Sequence, residues 1–182
     1  RSVAEPATAT GVGGTTTGAG ANAAGGAATA GRGGTGATVA SATSATASSS
    51  ARAAADAVVI ISPEWNGMAC PALKNFFLYA GLGELGHKPA LLVGVSAGLG
   101  GAYPITELRA SSYKNSRIMY LPEQLIIRNV ESMLNSEIPS DENDIRIRTR
   151  TDWALHLLCQ YDDALRTIRP SIKHPPEFST GM

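Results

Sequence analysis

Two short stretches of the sequence are suited to contact with a flat ligand. Ser62-Pro63-Glu64-Trp65-Asn66-Gly67 places backbone amides and one aromatic side chain on a single short turn. Ser96-Ala97-Gly98-Leu99-Gly100-Gly101 has so few Cβ atoms that its N–H groups can approach a ligand closely. Side by side, such loops make a groove for a heteroaromatic ring. Residues of other chemistries are scattered. His87, His156 and His174 share no ligand spacing, so no metal site is expected, and they read as surface residues. Cys70 lies near the first loop but reads as an inert thiol.

The elements around these loops are legible. Ala57-Val58-Val59-Ile60-Ile61 is a continuous apolar run rich in β-branched residues, as in a strand buried on both faces of a parallel sheet. Pro63 is expected to end it. Pro71 opens a helix in which Leu73, Phe76, Phe77 and Ala80 share one face, and Gly81 and Gly83 close it. Pro89 to Val95 is a second buried strand, and Tyr103 to about Lys114 reads as a helix. Arg117 to Leu121 is a third strand ending at Pro122, with Leu125-Ile126-Ile127 as its extension or a separate short one. Ser140-Asp141-Glu142 reads as the start of a long helix that Pro170 ends, although the alternation of Ile145 and Ile147 with Arg146 and Arg148 also suits a short strand. Its buried face is expected to be Ala154, Leu157, Leu158, Tyr161, Leu165 and Ile168. Strand, helix, strand, helix, strand means βαβ units with right-handed crossovers, an α/β fold. Ligands of such sheets bind beyond the carboxyl ends of the strands, where both loops lie.

The 182 residues suit one domain, residues 1–182. Fifteen Lys and Arg balance fifteen Asp and Glu, which argues against a nucleic-acid or anionic-membrane partner. No apolar run is long enough to span a bilayer, and no secretory signal pattern is visible. Cys70 and Cys159 lack metal-type or CxxC spacing and read as reduced thiols of a cytoplasmic protein. Residues 1–55 stand apart: 46 are Ala, Gly, Ser or Thr, and none is Leu, Ile, Lys or aromatic. Two readings of them stand. One is a low-complexity tail. The other is the skeleton of a folded unit, with small residues where larger side chains belong: a strand at Thr8–Val12, a Gly/Thr loop at Gly13–Gly18 and a helix at Ala19–Ala30. Residues 173–182 read as a loosely held tail.

The first loop, followed by Pro71-Ala72-Leu73-Lys74-Asn75, resembles the SPEYNG…P-x-LKN signature of the NAD(P)H-dependent FMN reductase family. Lys88-Pro89 before the second strand and Gly98-Leu99-Gly100-Gly101 after it fit the same pattern, and the resemblance covers about residues 54–135. It implies a flavodoxin-like three-layer sandwich, with five parallel strands in the order 2-1-3-4-5 and helices on both faces. Strands 3, 4 and 5 would then be 57–61, 89–95 and 117–121. It implies FMN, reduced by NAD(P)H, with a flavin, a quinone or a similar small molecule as electron acceptor. Pro63, Glu64, Trp65, Asn66 and Gly67 would hold one edge of the ring, with Trp65 standing where the family usually has Tyr. Ser96, Ala97, Gly98, Gly100 and Gly101 would flank the other side. The phosphate loop would fall at about Gly13 to Gly20, through Gly13, Thr15 and Thr17; no arginine stands in it. No catalytic side chain is implied, because the flavin carries the chemistry.

Other readings remain beside that one. The chain could bind FMN as an electron carrier or regulator without NAD(P)H turnover, or be a structural oligomer whose flavin site has decayed. Lys74 reads as a surface or subunit-contact residue. Phe76, Phe77 and Tyr79 crowd more of their helix than one intramolecular face needs, which points to packing against a second subunit, and the family resemblance implies a homodimer or homotetramer. Arg146, Arg148 and Arg150 read as a solvated face rather than a phosphate site.

Overall fold

The computed structural model describes residues 54–178, together with the backbone of Val39–Ser41. The strand and helix expected at 8–30 and the loop residues Gly13, Thr15 and Thr17 lie outside them. The described strands are β1 (Val39–Ser41), β2 (Ala57–Trp65), β3 (Met68–Ala69), β4 (Pro89–Val95) and β5 (Met119–Ile127). The helices are α1 (Pro71–Tyr79), α2 (Leu82–Leu85), α3 (Ala102–Ser111) and α4 (Glu142–Ile168). Four strands pair in parallel in the order β1-β2-β4-β5, and β3 adds a short antiparallel pairing to β2.

The apolar runs explain the layers. Alternate residues of β2 and β4 point to opposite faces, and both faces are covered. Val58, Ile60, Ala90 and Leu92 pack with Leu73, Leu85, Ile105 and Leu108 from α1, α2 and α3. Ala57, Leu91, Val93, Leu121 and Leu125 pack with Ala154 and Leu158 of α4. Burial on both sides is why β4 reads as an unbroken apolar string.

Two strands run further than their prolines suggest. β2 does not stop at Pro63 but continues to Trp65. Among the described residues β1 flanks β2 only as far as Val59, so the missing N–H of Pro63 falls where one side lacks a ladder partner. β5 begins at Met119 rather than Arg117 and passes through Pro122, taking in Leu125–Ile127. Its pairing jumps from Ala90↔Tyr120 to Leu92↔Gln124, so Pro122 sits in a bulge. Arg109 of α3 staples the bulge, donating from Nη2 to the Leu121 carbonyl at 2.6 Å and from Nε to Gln124 Oε1 at 3.2 Å.

The segment read as a plain loop after Pro63 is a β-hairpin. Trp65 pairs with Met68 across Asn66 and Gly67, whose φ values are 50° and 74°. Positive φ at both central residues is the type I′ arrangement that Asn-Gly favours, because its twist matches that of the strands. A Cβ on Gly67 would meet nothing within 4 Å. Gly67→Ala is therefore expected to cost only the left-handed backbone penalty, about 1–2 kcal/mol, read as a lower denaturation midpoint at unchanged slope.

In α4, Asp141 caps the first turn by accepting from the Asp144 amide at 2.8 Å, and the helix ends at Ile168 before Pro170. Its inward face differs from expectation at two positions: Tyr161 and Ile168 are exposed, while Asp144 and Asp162 are buried. Each buried carboxylate is answered. Asp144 binds Arg148 and accepts from the Leu134 and Ser140 amides, which hold its carboxyl below the usual range. Asp162 binds Arg166 and Arg169, which also reach Asp56 just before β2. The tail residue His174 stacks on His87 with the rings 5.0 Å apart, and Arg117 donates to the Phe178 carbonyl at 2.6 Å.

Candidate functional site

The site is built where β2 and β4 run out together. Ser62 pairs with Gly94 and Pro63 with Val95, so the chain segments beyond them lie side by side. One becomes the hairpin 64–69 and the other the glycine loop 96–101.

Glu64 joins them. Its Oε2 accepts from the Gly101 amide at 2.6 Å across 37 residues of sequence. That amide stands at the start of α3, where a carboxylate is favoured by the helix dipole and by a charge-assisted bond. The glycines make the approach possible. A Cβ on Gly100 would lie 2.6 Å from Glu64 Oε1, and one on Gly94 would lie 2.0 Å from the Gly101 carbonyl oxygen. Gly101 itself has φ 100°, open to glycine and strained for other residues.

Further bonds fix both arms. Glu107 of α3 accepts from the Ala69 amide of β3 at 2.8 Å and from Lys74 of α1, tying the hairpin to two helices. The Lys74 bond first, then the Ala69 bond, hold the Glu107 carboxyl below its ordinary range. Lys74 is thus a brace as well as a surface residue. The glycine loop is pinned from the segment after β5. Asn129 donates its amide to the Gly98 carbonyl at 3.0 Å and Val130 donates to the Ser96 carbonyl at 3.1 Å. Arg128 Nε donates to the Gly100 carbonyl at 3.1 Å.

Glu64 is thereby joined to Gly100 and Gly101 and Pro63 set beside Val95, with Trp65, Asn66 and Gly67 following in the hairpin and Ser96, Ala97 and Gly98 in the glycine loop. Gly13, Thr15 and Thr17 lie outside the described residues. Gly94, Arg128 and Asn129 belong to the same assembly and were not picked out from the sequence. Their signal was position: Gly94 interrupts a strand, and Arg128-Asn129 directly follows an apolar run, at the ligand-binding end of a parallel sheet.

Bare backbone of this kind can accommodate a planar ring. Positions Gly67 and Gly98 have open space where a Cβ would stand. Around this bare backbone lie the apolar side chains of Trp65, 58% exposed, and Leu99, 78% exposed. A peptide edge flanked by uncovered apolar groups offers hydrogen bonds to a ring's rim and contact to its face.

The sequence model of the NADPH-dependent FMN reductase family matches residues 34–132, a stretch that contains both loops and the strands that carry them. No curated protein sequence matches the chain. Among solved structures it is similar to an oxidoreductase from Corynebacterium diphtheriae, at 13% identity and a TM-score of 0.47, covering 69% of this chain and 61% of that one. It is also similar to FerB, a flavoenzyme NAD(P)H:(acceptor) oxidoreductase from Paracoccus denitrificans, at 21% identity and a TM-score of 0.46, covering 65% of each. A third, the NADH:FMN oxidoreductase EmoB, is 14% identical with a TM-score of 0.41, covering 72% of this chain and 61% of that one. The chain thus spans between 61% and 65% of the length of these three structures. With more than half of its length matched by the family's sequence model, the chain belongs to the NADPH-dependent FMN reductase family.

Proposed function

We propose that the chain is an FMN-dependent NAD(P)H oxidoreductase that passes reducing equivalents to a flavin, a quinone or a similar acceptor. The observation that carries this reading is the Glu64–Gly101 bond. It clamps two backbone-rich loops together at the carboxyl ends of adjacent parallel strands, the position at which such sheets take nucleotides. Bound FMN would supply the chemistry, taking a hydride from the nicotinamide.

The chain's own part is positioning. Backbone groups of Pro63, Glu64, Trp65, Asn66 and Gly67 hold one edge of the ring, with the Trp65 indole against it. Ser96, Ala97, Gly98, Gly100 and Gly101 close the other side, and Gly13, Thr15 and Thr17 take the phosphate. No side chain is assigned a proton-transfer role. We read the complete sheet as five parallel strands in the order 2-1-3-4-5 with β2, β4 and β5 as its third to fifth. The chain works as one domain over residues 1–182, as a homodimer or homotetramer in the cytoplasm. Two observations support this last reading: Leu78 and Tyr79 of α1 are 81% and 78% exposed, and Cys70 and Cys159 are unpaired thiols. Among the described residues no helix is long and apolar enough to cross a membrane.

Steady-state kinetics test the shared site. If nicotinamide and acceptor use one ring face in turn, double-reciprocal plots against NADPH at several quinone concentrations give parallel lines. Intersecting lines would require both to be bound together and would overturn this arrangement.

A further inference from the structure

Next to the two loops lies a depression of different chemistry. A cavity of about 810 Å3 opens between the outer end of β5, the segment after it and the first half of α4. Leu99, in the glycine loop, forms part of its wall, so this cavity and the two-loop site adjoin. Arg128, Arg146, Arg150 and Trp153 line it as well. Among the described residues only one of these cations meets a carboxylate: Arg150 binds Glu123 Oε1 at 2.6 Å. Arg128 is directed by its Nε to the neutral Gly100 carbonyl. Arg146 is exposed and takes part in no ion pair among the described residues. Two uncompensated guanidinium groups therefore face one cavity in a chain whose formal net charge is zero. The Trp153 indole beside them is 52% exposed.

Guanidinium groups favour phosphate, which they bind through paired N–H donors, and an exposed indole favours a flat ring. The ligand that satisfies both is an aromatic base carrying phosphate. We propose that this cavity receives the phosphorylated adenosine end of the nicotinamide nucleotide, with Arg146 and Arg128 toward the phosphates and Trp153 against the adenine. The proposal rests on the reading above that FMN lies between the two loops and is reduced there by a nicotinamide nucleotide. A dinucleotide held there must lead its other half away from the ring, and Leu99 is where the loop gives onto the cavity. An acceptor that meets only the flavin has no need of this space.

Calorimetric titration of the flavin-loaded full chain with 2′,5′-ADP tests it without turnover. Wild-type protein is expected to bind the probe saturably, and unphosphorylated adenosine far more weakly. Arg146→Ala should weaken the probe about tenfold, and Arg146→Lys should recover only part of that loss, since it keeps the charge but not the paired donors. Trp153→Ala should weaken it to a similar degree. Arg146 is exposed and pairs with no carboxylate among the described residues, so its variants are expected to melt with the wild type. Absence of binding, or equal affinity in Arg146→Ala, overturns the proposal. If the probe binds as expected but NADPH leaves the flavin oxidised, the reductase reading fails and the nucleotide site stands. If NADPH reduces the flavin but Arg146→Ala binds the probe normally, the reductase reading stands and the site fails.

Discussion

Gly94→Ala is expected to be the most damaging glycine-to-alanine change among the described residues. The added Cβ would lie 2.0 Å from the Gly101 carbonyl oxygen, 3.0 Å from its carbon and 3.2 Å from Ile105 Cδ1. The first two are backbone atoms, which cannot swing aside as a flexible side chain can. Strand β4 is fixed by pairing on both sides, so the glycine loop must move instead. Overpacking of this kind costs about 1–3 kcal/mol, and a backbone clash belongs at the upper end. Stabilities of about 5–15 kcal/mol leave such a variant folded. It should therefore unfold at lower denaturant and also lose flavin binding, because Gly101 is carried away from Glu64. Equilibrium unfolding with a flavin titration on the same preparation reads both effects. Wild-type values in both would contradict the apposition of Gly94 and Gly101.

Glu64→Ala comes second, and it separates two roles of that carboxylate. Losing the bond leaves the Gly101 amide without its partner, for about 1–3 kcal/mol, and releases the hairpin from the glycine loop. FMN affinity is expected to fall at least about tenfold. Glu64→Gln retains an oxygen that can accept from the same amide, and should bind FMN within a few-fold of wild type. If Gln proves as harmful as Ala, the negative charge matters rather than the clamp. Fluorescence titration of FMN against the three proteins decides between them.

These residues show where sequence reading stops. The parallel strands announce themselves because burial on both faces demands unbroken apolar runs, as in Pro89 to Val95. The helix starts at Pro71 and Asp141 follow from local backbone chemistry and are equally plain. Pro63 and Pro122 mislead, because a proline stops a strand only where its N–H is needed; among the described residues one falls past the last β1 pairing and the other in a bulge. The Asn66-Gly67 dipeptide is a hairpin signal that the neighbouring proline obscures. The buried Asp144 and Asp162 sit where periodicity calls for apolar residues, since their arginine partners become neighbours only in the fold. The two loops can be recognised as ligand-facing, but their clamp joins residues 37 apart and needs the sheet register to bring it about.

The central claim is that the site formed by the two loops holds FMN where a nicotinamide nucleotide can reduce it. Anaerobic mixing of the flavin-loaded protein with one equivalent of NADPH tests it most directly, followed in the visible absorption of the oxidised flavin. The account predicts that the band bleaches and returns on addition of a quinone. A protein that binds FMN yet keeps its full colour under NADPH and NADH would contradict it.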